Sequence, residues 1–214
     1  KNWINSQKII NKDKKIRFFK THHLFCKYGD NAFTDDANTL GVIHVVRDPR
    51  NIISSLKHHW NLKNLEEAKK KIFDEQLMTG FKVKTNNAYS FPVMISSWAN
   101  HYNAWKKIKK NYILIKFEDL INNPKKELLK IIKYLNKIKK IEISEDKINN
   151  ILKTTSFDNL KKLEEQGFFE EANIDLKTNK YKSFFNTHPS QYKKTFISSS
   201  IKKEVEIKFC KEMK

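Results

Sequence analysis

The sequence predicts an α/β domain built on a parallel sheet. Three short segments rich in β-forming residues, 15–22, 42–47 and 111–120, alternate with helical patterns. The middle segment, VIHVVR, is almost continuously apolar, as befits a central parallel strand covered on both faces. With 214 residues, no internal repeat and no low-complexity linker, a single domain over 1–214 is the simplest account.

Each element follows from local pattern. NWINSQKIIN has Trp3, Ile4, Ile9 and Ile10 at weak helical spacing. KIRFFKTH, 15–22, reads as a buried strand ending near Lys20, and GDNAFTDDANTLG as a turn-rich loop. After the VIHVVR strand, DPRNIISSLKHHW carries a helix start. Asp48 is the N-cap, Pro49 takes the first helical position, and Ile52, Ile53 and Leu56 share a face. Residues 61–75 read as a charged helix and 79–93 as a long loop. MISSWANHYNAWKKIKK is helical, with Ile95, Trp98, Tyr102 and Trp105 three and four apart. NYILIKFEDL is the third strand. A helix follows from near Pro124, with Leu128, Leu129, Ile131, Ile132 and Leu135 as its apolar face. Ser144 caps a further helix over SEDKINNILKTTSF, and a last helix covers about 198–212.

Formal charge is +19, which points either to a polyanionic partner or to a coding bias that enriches Lys, Asn and Ile together. The lysines are spread along the chain, without the aromatic and glycine interleaving of RNA-binding segments, so no nucleic-acid partner is expected. Cys26 and Cys210 are far apart and in no metal or redox spacing, which suits free thiols and a cytoplasmic setting. No apolar run reaches membrane-spanning length. The chain opens on Lys1 and enters directly at KNWINSQKII, so a preceding piece is expected. No feature of the sequence sets an oligomeric state.

Arginine use is the sharpest chemical clue. The chain has 40 lysines and three arginines, and Arg47 and Arg50 lie together at the end of the VIHVV run. In an open parallel sheet, ligands bind beyond the carboxyl ends of the strands. Arg47 ends such a strand, the helix from Pro49 offers unpaired N–H groups, and Ser55 lies about two turns on. A guanidinium fork matches phosphate geometry where an ammonium is a mobile point charge. Arg47 is therefore a phosphate-binding candidate, with pairing to Asp48 as the structural alternative. Arg50, in the first helical turn, is assigned to solvent or a structural carboxylate. In FFKTHH, Lys20 and His22 lie two apart and share a strand face. The His suits a general base and the Lys an anion stabiliser, although a strand-end His can equally be scaffold.

FFKTHH followed by VVRDPRNIISS resembles the sulfotransferases that use 3′-phosphoadenylyl sulfate, PAPS. ILIKFEDLINNPKKELLKIIKYL and TTSFDNLKKLEE resemble later segments of that family, in the same order. The resemblance covers residues 15 to about 165. It implies a P-loop-NTPase-like fold with helices on both faces of the sheet, here missing its first strand and phosphate loop. It implies sulfuryl transfer from PAPS to a hydroxyl or amine of a small-molecule or saccharide acceptor, releasing PAP and requiring no metal. By the same resemblance, His22 is the general base and Lys20 stabilises the transferring group. Arg47 and Ser55 hold the 3′-phosphate, and Thr155 and Phe157 lie at the adenine.

The match departs in three places. The four glycines, Gly29, Gly41, Gly80 and Gly167, sit in no phosphate loop. The family's Arg-Lys-Gly run is absent from FFNTHPSQYKKTF, 184–196, where Tyr192 stands for the usual Trp and Lys182, Lys193 or Lys194 are the available cations. Phe117 replaces an aromatic hydroxyl. Segment 60–97 is the expected acceptor cover, with Phe81, Tyr89 and Phe91 as a lid or as loop anchors. Two rivals remain. A phosphate-loop kinase needs a Mg²⁺-binding Asp at a strand end, and the nearest acids are Asp48 and Glu118–Asp119. A basic nucleic-acid module predicts salt-dependent binding and no use for His22.

Overall fold

The computed structural model describes residues 3–80, 92–108, 111–169, 173–175, 180–185, 188 and 197–214. Helix α1 (Trp3–Ile10) leads through a short 3₁₀ turn to an extended stretch, then to a small hairpin of β1 (Lys27–Tyr28) and β2 (Asn31–Ala32). Strand β3 (Val42–Val46) enters α2 (Pro49–His59) and α3 (Leu65–Phe73). Next, β4 (Met78–Thr79) and β5 (Val93–Met94) pair antiparallel before α4 (Trp98–Trp105). Strand β6 (Tyr112–Lys116) runs straight into α5 (Phe117–Asn122), followed by α6 (Pro124–Leu135), α7 (Glu145–Thr154) and α8 (Phe157–Glu165). A second hairpin, β7 (Asn173–Asp175) with β8 (Lys180–Lys182), precedes α9 (Ser199–Lys208).

The α/β expectation holds. Strands β3 and β6 pair in parallel from Val42↔Tyr112 to Val46↔Lys116, so Arg47 and Phe117 leave the same end of the sheet side by side. At the other end the Tyr134 hydroxyl of α6 donates to the Asn111 carbonyl (2.6 Å), which also accepts from Val42 N–H (2.8 Å). Gly41 is required there: a Cβ would lie 2.1 Å from that hydroxyl and 2.9 Å from that carbonyl. The main core lies between α2, α3 and α9, where Ile53, Ala68, Val205 and Phe209 are fully buried. Two ionic ties add to it. Arg50 reaches Glu206 (2.6 Å), and Lys69 reaches Glu204 (2.6 Å).

Several expectations need correction. Residues 15–22 form no strand and are exposed, with Phe18 and Phe19 each 71% accessible. β-propensity makes a strand only where a neighbour completes the ladder, and among the described residues none lies beside this segment. Cover over β3 is uneven among the described residues, with His44 6% and Val45 52% exposed. The third strand ends at Lys116, because FEDLIN is helical and its acids suit a first turn. The helix expected from Met94 starts at Trp98, after Ser96 with φ of +63° and the Ser97 cap. Leu129, placed on the apolar face of α6, is 43% exposed, whereas Glu127 is 2% exposed and paired with Lys130 at 2.6 Å. In 79–93, Thr79 and Val93 pair as strands. Residues 81–91, with Phe81, Tyr89 and Phe91, lie outside the described residues.

Candidate active site

Asp48 starts α2 as expected, its carboxylate accepting from Arg50 N–H at 2.8 Å. That bond overturns one expectation: the N–H that an anion would use is already capped by a carboxylate. The same carboxylate is gripped by the Arg50 guanidinium through Nε (3.0 and 3.1 Å) and an outer nitrogen (2.5 Å). Arg50 thus serves structural carboxylates, Asp48 and Glu206, and these hold its guanidinium well above the ordinary pKa. Glu118 braces the turn further, accepting from Asp48 N–H (3.1 Å) and Asn51 Nδ2 (3.0 Å).

Arg47 has a different environment. Its guanidinium lies over the Phe117 ring, 4.9 Å from the centroid, as the parallel register dictates. A planar cation can lie flat on a ring face, which an ammonium on a flexible stem does less well. Ser55 is exposed on α2, one turn before His58.

Helix α4 joins this strand end to the FFKTHH segment. Trp98 Nε1–H donates to the Arg47 carbonyl (3.1 Å), His101 Nε2–H to the His22 carbonyl (3.4 Å), and Trp105 Nε1–H to the His23 carbonyl (3.1 Å). These donors recur every three or four residues, so one helix face fixes both candidate segments. The spacing was legible as an apolar face, but its use as a row of N–H donors was not.

His23 N–H donates to Thr21 Oγ1 (3.0 Å), and Leu24 N–H to the Met94 carbonyl (2.7 Å). The His23 ring is buried, stacked on Phe33 at 4.3 Å with Trp3 edge-on at 4.9 Å. Alternation along an extended chain then turns His22 and Lys20 the other way, and both are exposed. His22 therefore combines a pinned main chain with a free-standing imidazole.

Behind it lies a polar cluster that the sequence reading did not single out. His44 of β3 is 6% exposed, its Nδ1 2.8 Å from the Tyr112 hydroxyl, with His101 and Tyr102 alongside. Burial first, then His101 and Lys106, push the His44 pKa down to about 4. Burial also lowers His101 and raises Tyr112 to about 12. Both imidazoles are thus neutral at pH 7, which leaves His101 one N–H to donate.

Thr155 and Phe157 flank the α7–α8 junction. Thr155 is exposed, and its hydroxyl donates to the Ile151 carbonyl (2.7 Å). Phe157 opens α8 and packs edge-on against Phe185 (5.8 Å) and His188 (4.9 Å). Of segment 184–196, residues 184, 185 and 188 are described; Tyr192, Lys193 and Lys194 lie outside, and the backbone of Lys182 ends β8. The main chain of Arg47 and of His22 is thus held by α4. Among the described residues, Phe157 is tied to α2 by way of residues 183–185, where His58 Nε2–H donates to the Ser183 carbonyl (3.1 Å).

Comparison with known proteins places this geometry in context. The family model described as "Sulfotransferase domain" matches residues 3–214. Sulfotransferase 2A1 of Macaca fascicularis is 26% identical over 164 residues, covering 74% of this chain and 52% of that protein. Sulfotransferase 1B1 of Canis lupus familiaris is 30% identical over 156 residues, covering 71% and 47%. The chain thus spans about half the length of these curated relatives. In fold it is similar to the mouse sulfotransferase SULT7A1 complexed with PAP, with a TM-score of 0.53 and 16% identity over 84% of this chain and 61% of that one.

Proposed function

Since the chain belongs to the sulfotransferase domain family, we propose that it serves PAPS-dependent transfer of a sulfuryl group to a hydroxyl or amine acceptor. The observation that carries this reading is α4, whose N–H row holds the carbonyls of Arg47 and His22 about one helical turn apart. The main chain that carries a phosphate-binding guanidinium and the main chain that carries an exposed imidazole are thereby anchored to one helix, which favours the positioning that group transfer requires.

In this mechanism Arg47 and Ser55 bind the 3′-phosphate of the donor. The guanidinium, over the Phe117 ring, offers a fork of N–H donors, and the Ser55 hydroxyl adds another. Phe157 contacts the adenine and Thr155 lies beside it. PAPS supplies the activated sulfuryl group. His22 removes the acceptor proton as the acceptor oxygen or nitrogen bonds to sulfur and the bond from sulfur to the donor's phosphate oxygen breaks. Lys20 stabilises the charge developing on the transferring group. The acceptor is a small molecule or a saccharide, and no residue here is assigned to a metal. PAP in the fold neighbour supports a nucleotide of this class.

The test is His22→Ala in the protein that carries this chain, assayed with radiolabelled donor and a panel of phenols, amines and saccharides. Turnover falls by about two to four orders of magnitude, the range of a lost general base, while PAP affinity by calorimetry is unchanged. Parental turnover in the variant refutes the assignment.

A further inference from the structure

Building on that donor-site reading, we propose that Glu164 is a positioning residue. It sets α8 against α2 and so fixes the gap between Phe157 and Ser55, the two sides of the nucleotide site.

Glu164 stands in the last turn of α8 and is 2% exposed. A carboxylate is badly placed at a helix C-terminus, where the dipole is negative, and a buried charge is costly unless hydrogen-bonded. One short strap supplies three hydrogen bonds to it. The carboxylate accepts from the Ser183 hydroxyl (3.0 Å), the Phe184 N–H and the Phe185 N–H (3.0 Å).

That strap also holds α8 at its other end and α2 beside it. Phe185 packs on Phe157, the first residue of α8, and joins Phe169 and Phe184 in an aromatic cluster. The Ser183 carbonyl accepts from His58, one turn beyond Ser55, and the Phe184 ring stands edge-on to His59. Residues 183–185 are therefore a bridge between the proposed phosphate wall and the proposed adenine wall. Apolar contacts alone allow such a bridge to slide, whereas three hydrogen bonds to one carboxylate fix its register. Through these bonds to residues 183–185, Glu164 acts on the nucleotide site by way of the strap.

The test is a calorimetric titration of PAP into the whole protein and its variants. Glu164→Ala weakens binding about tenfold or more, the loss expected when charge-assisted hydrogen bonds are removed. Glu164→Gln keeps one acceptor oxygen and falls between Ala and the parent. Hydrogen exchange at the Phe184 and Phe185 amides accelerates in the Ala variant. In a Phe157→Ala background the Glu164→Ala loss shrinks, because the wall being positioned has lost its ring. In an Arg47→Ala background the loss persists in full. Parental affinity in Glu164→Ala, even with a lowered melting temperature, overturns the proposal, and so does full additivity with Phe157→Ala. A parent that binds no PAP at all defeats the donor-site reading itself, an outcome visible before any variant is made.

Discussion

Replacing His44 by Gln is expected to flatten the acid side of the stability profile. The buried imidazole titrates at about 4 in the folded chain, against about 6.5 when unfolded. The folded pKa is depressed for a base, so between these values the unfolded chain binds the extra proton. Stability is therefore intact above pH 6.5 and falls with pH until the folded imidazole also protonates near 4. At about 1.4 kcal/mol per pH unit, the loss reaches roughly 2–3 kcal/mol by pH 4.5. Tyr112 on β6, His101 and Tyr102 on α4, and Lys106 just beyond it surround the ring, and no carboxylate is among its recorded partners. Glutamine can keep a hydrogen bond to the Tyr112 hydroxyl but does not titrate. Urea unfolding at pH 7.0, 6.0, 5.0 and 4.5 measures the effect. The parent should lose about 2–3 kcal/mol more than His44→Gln across that range, while carboxylates common to both proteins cancel. Parallel profiles, or a parent that gains on the variant as pH falls, would refute a buried neutral His44.

The other predictions concern single contacts. Arg47→Ala should weaken PAP binding by ~1.5–3 kcal/mol, and Arg47→Lys should recover only part of it, since Lys lacks the fork; calorimetry showing full recovery by Lys rejects the bidentate role. Gly41→Ala should cost about 3 kcal/mol, combining overpacking with a lost Tyr134–Asn111 hydrogen bond, and an unchanged thermal midpoint would contradict the close packing. Arg50→Ala should cost about 1 kcal/mol, because its ion pairs are partly exposed, and the difference should shrink in 1 M salt as screening rises.

Features written in a few neighbouring residues were legible. The apolar VIHVV run forms a parallel strand, and Asp48 and Pro49 start the next helix at the expected position. Ser144 likewise caps α7. Arg50 took structural carboxylates, as its place in the first helical turn suggested, whereas Arg47 lies over the Phe117 ring rather than pairing with Asp48, a contact the sequence reading did not anticipate. What the sequence concealed depends on partners far along the chain. Residues 15–20 have strand composition, but composition supplies no neighbour to pair with. Glu164 looks like a surface acid in a charged helix, and its burial follows from amides about twenty residues on. His101 was not singled out, because the carbonyl it meets belongs to residue 22, far away in the sequence. The capped Arg50 amide is an intermediate case: the Asp48 cap was read correctly, but its consequence for anion binding was missed.

The closure of α9 over α2 has a bearing on how the chain is made. Arg50 and Glu206 are 156 residues apart, and Lys69 and Glu204 are 135 apart. Translation at 5–20 residues per second places α9 on the ribosome roughly 8–30 s after α2. Through that interval Ile53, Ala68 and Ile72 lack the cover that Ile201, Val205 and Phe209 later provide. The helix that carries Ser55 is thus synthesised well before the helix that seals it. A nascent chain of this kind is a natural client for hydrophobe-binding chaperones, and its yield on expression should respond more to their supply than to the strength of any one contact in the finished site.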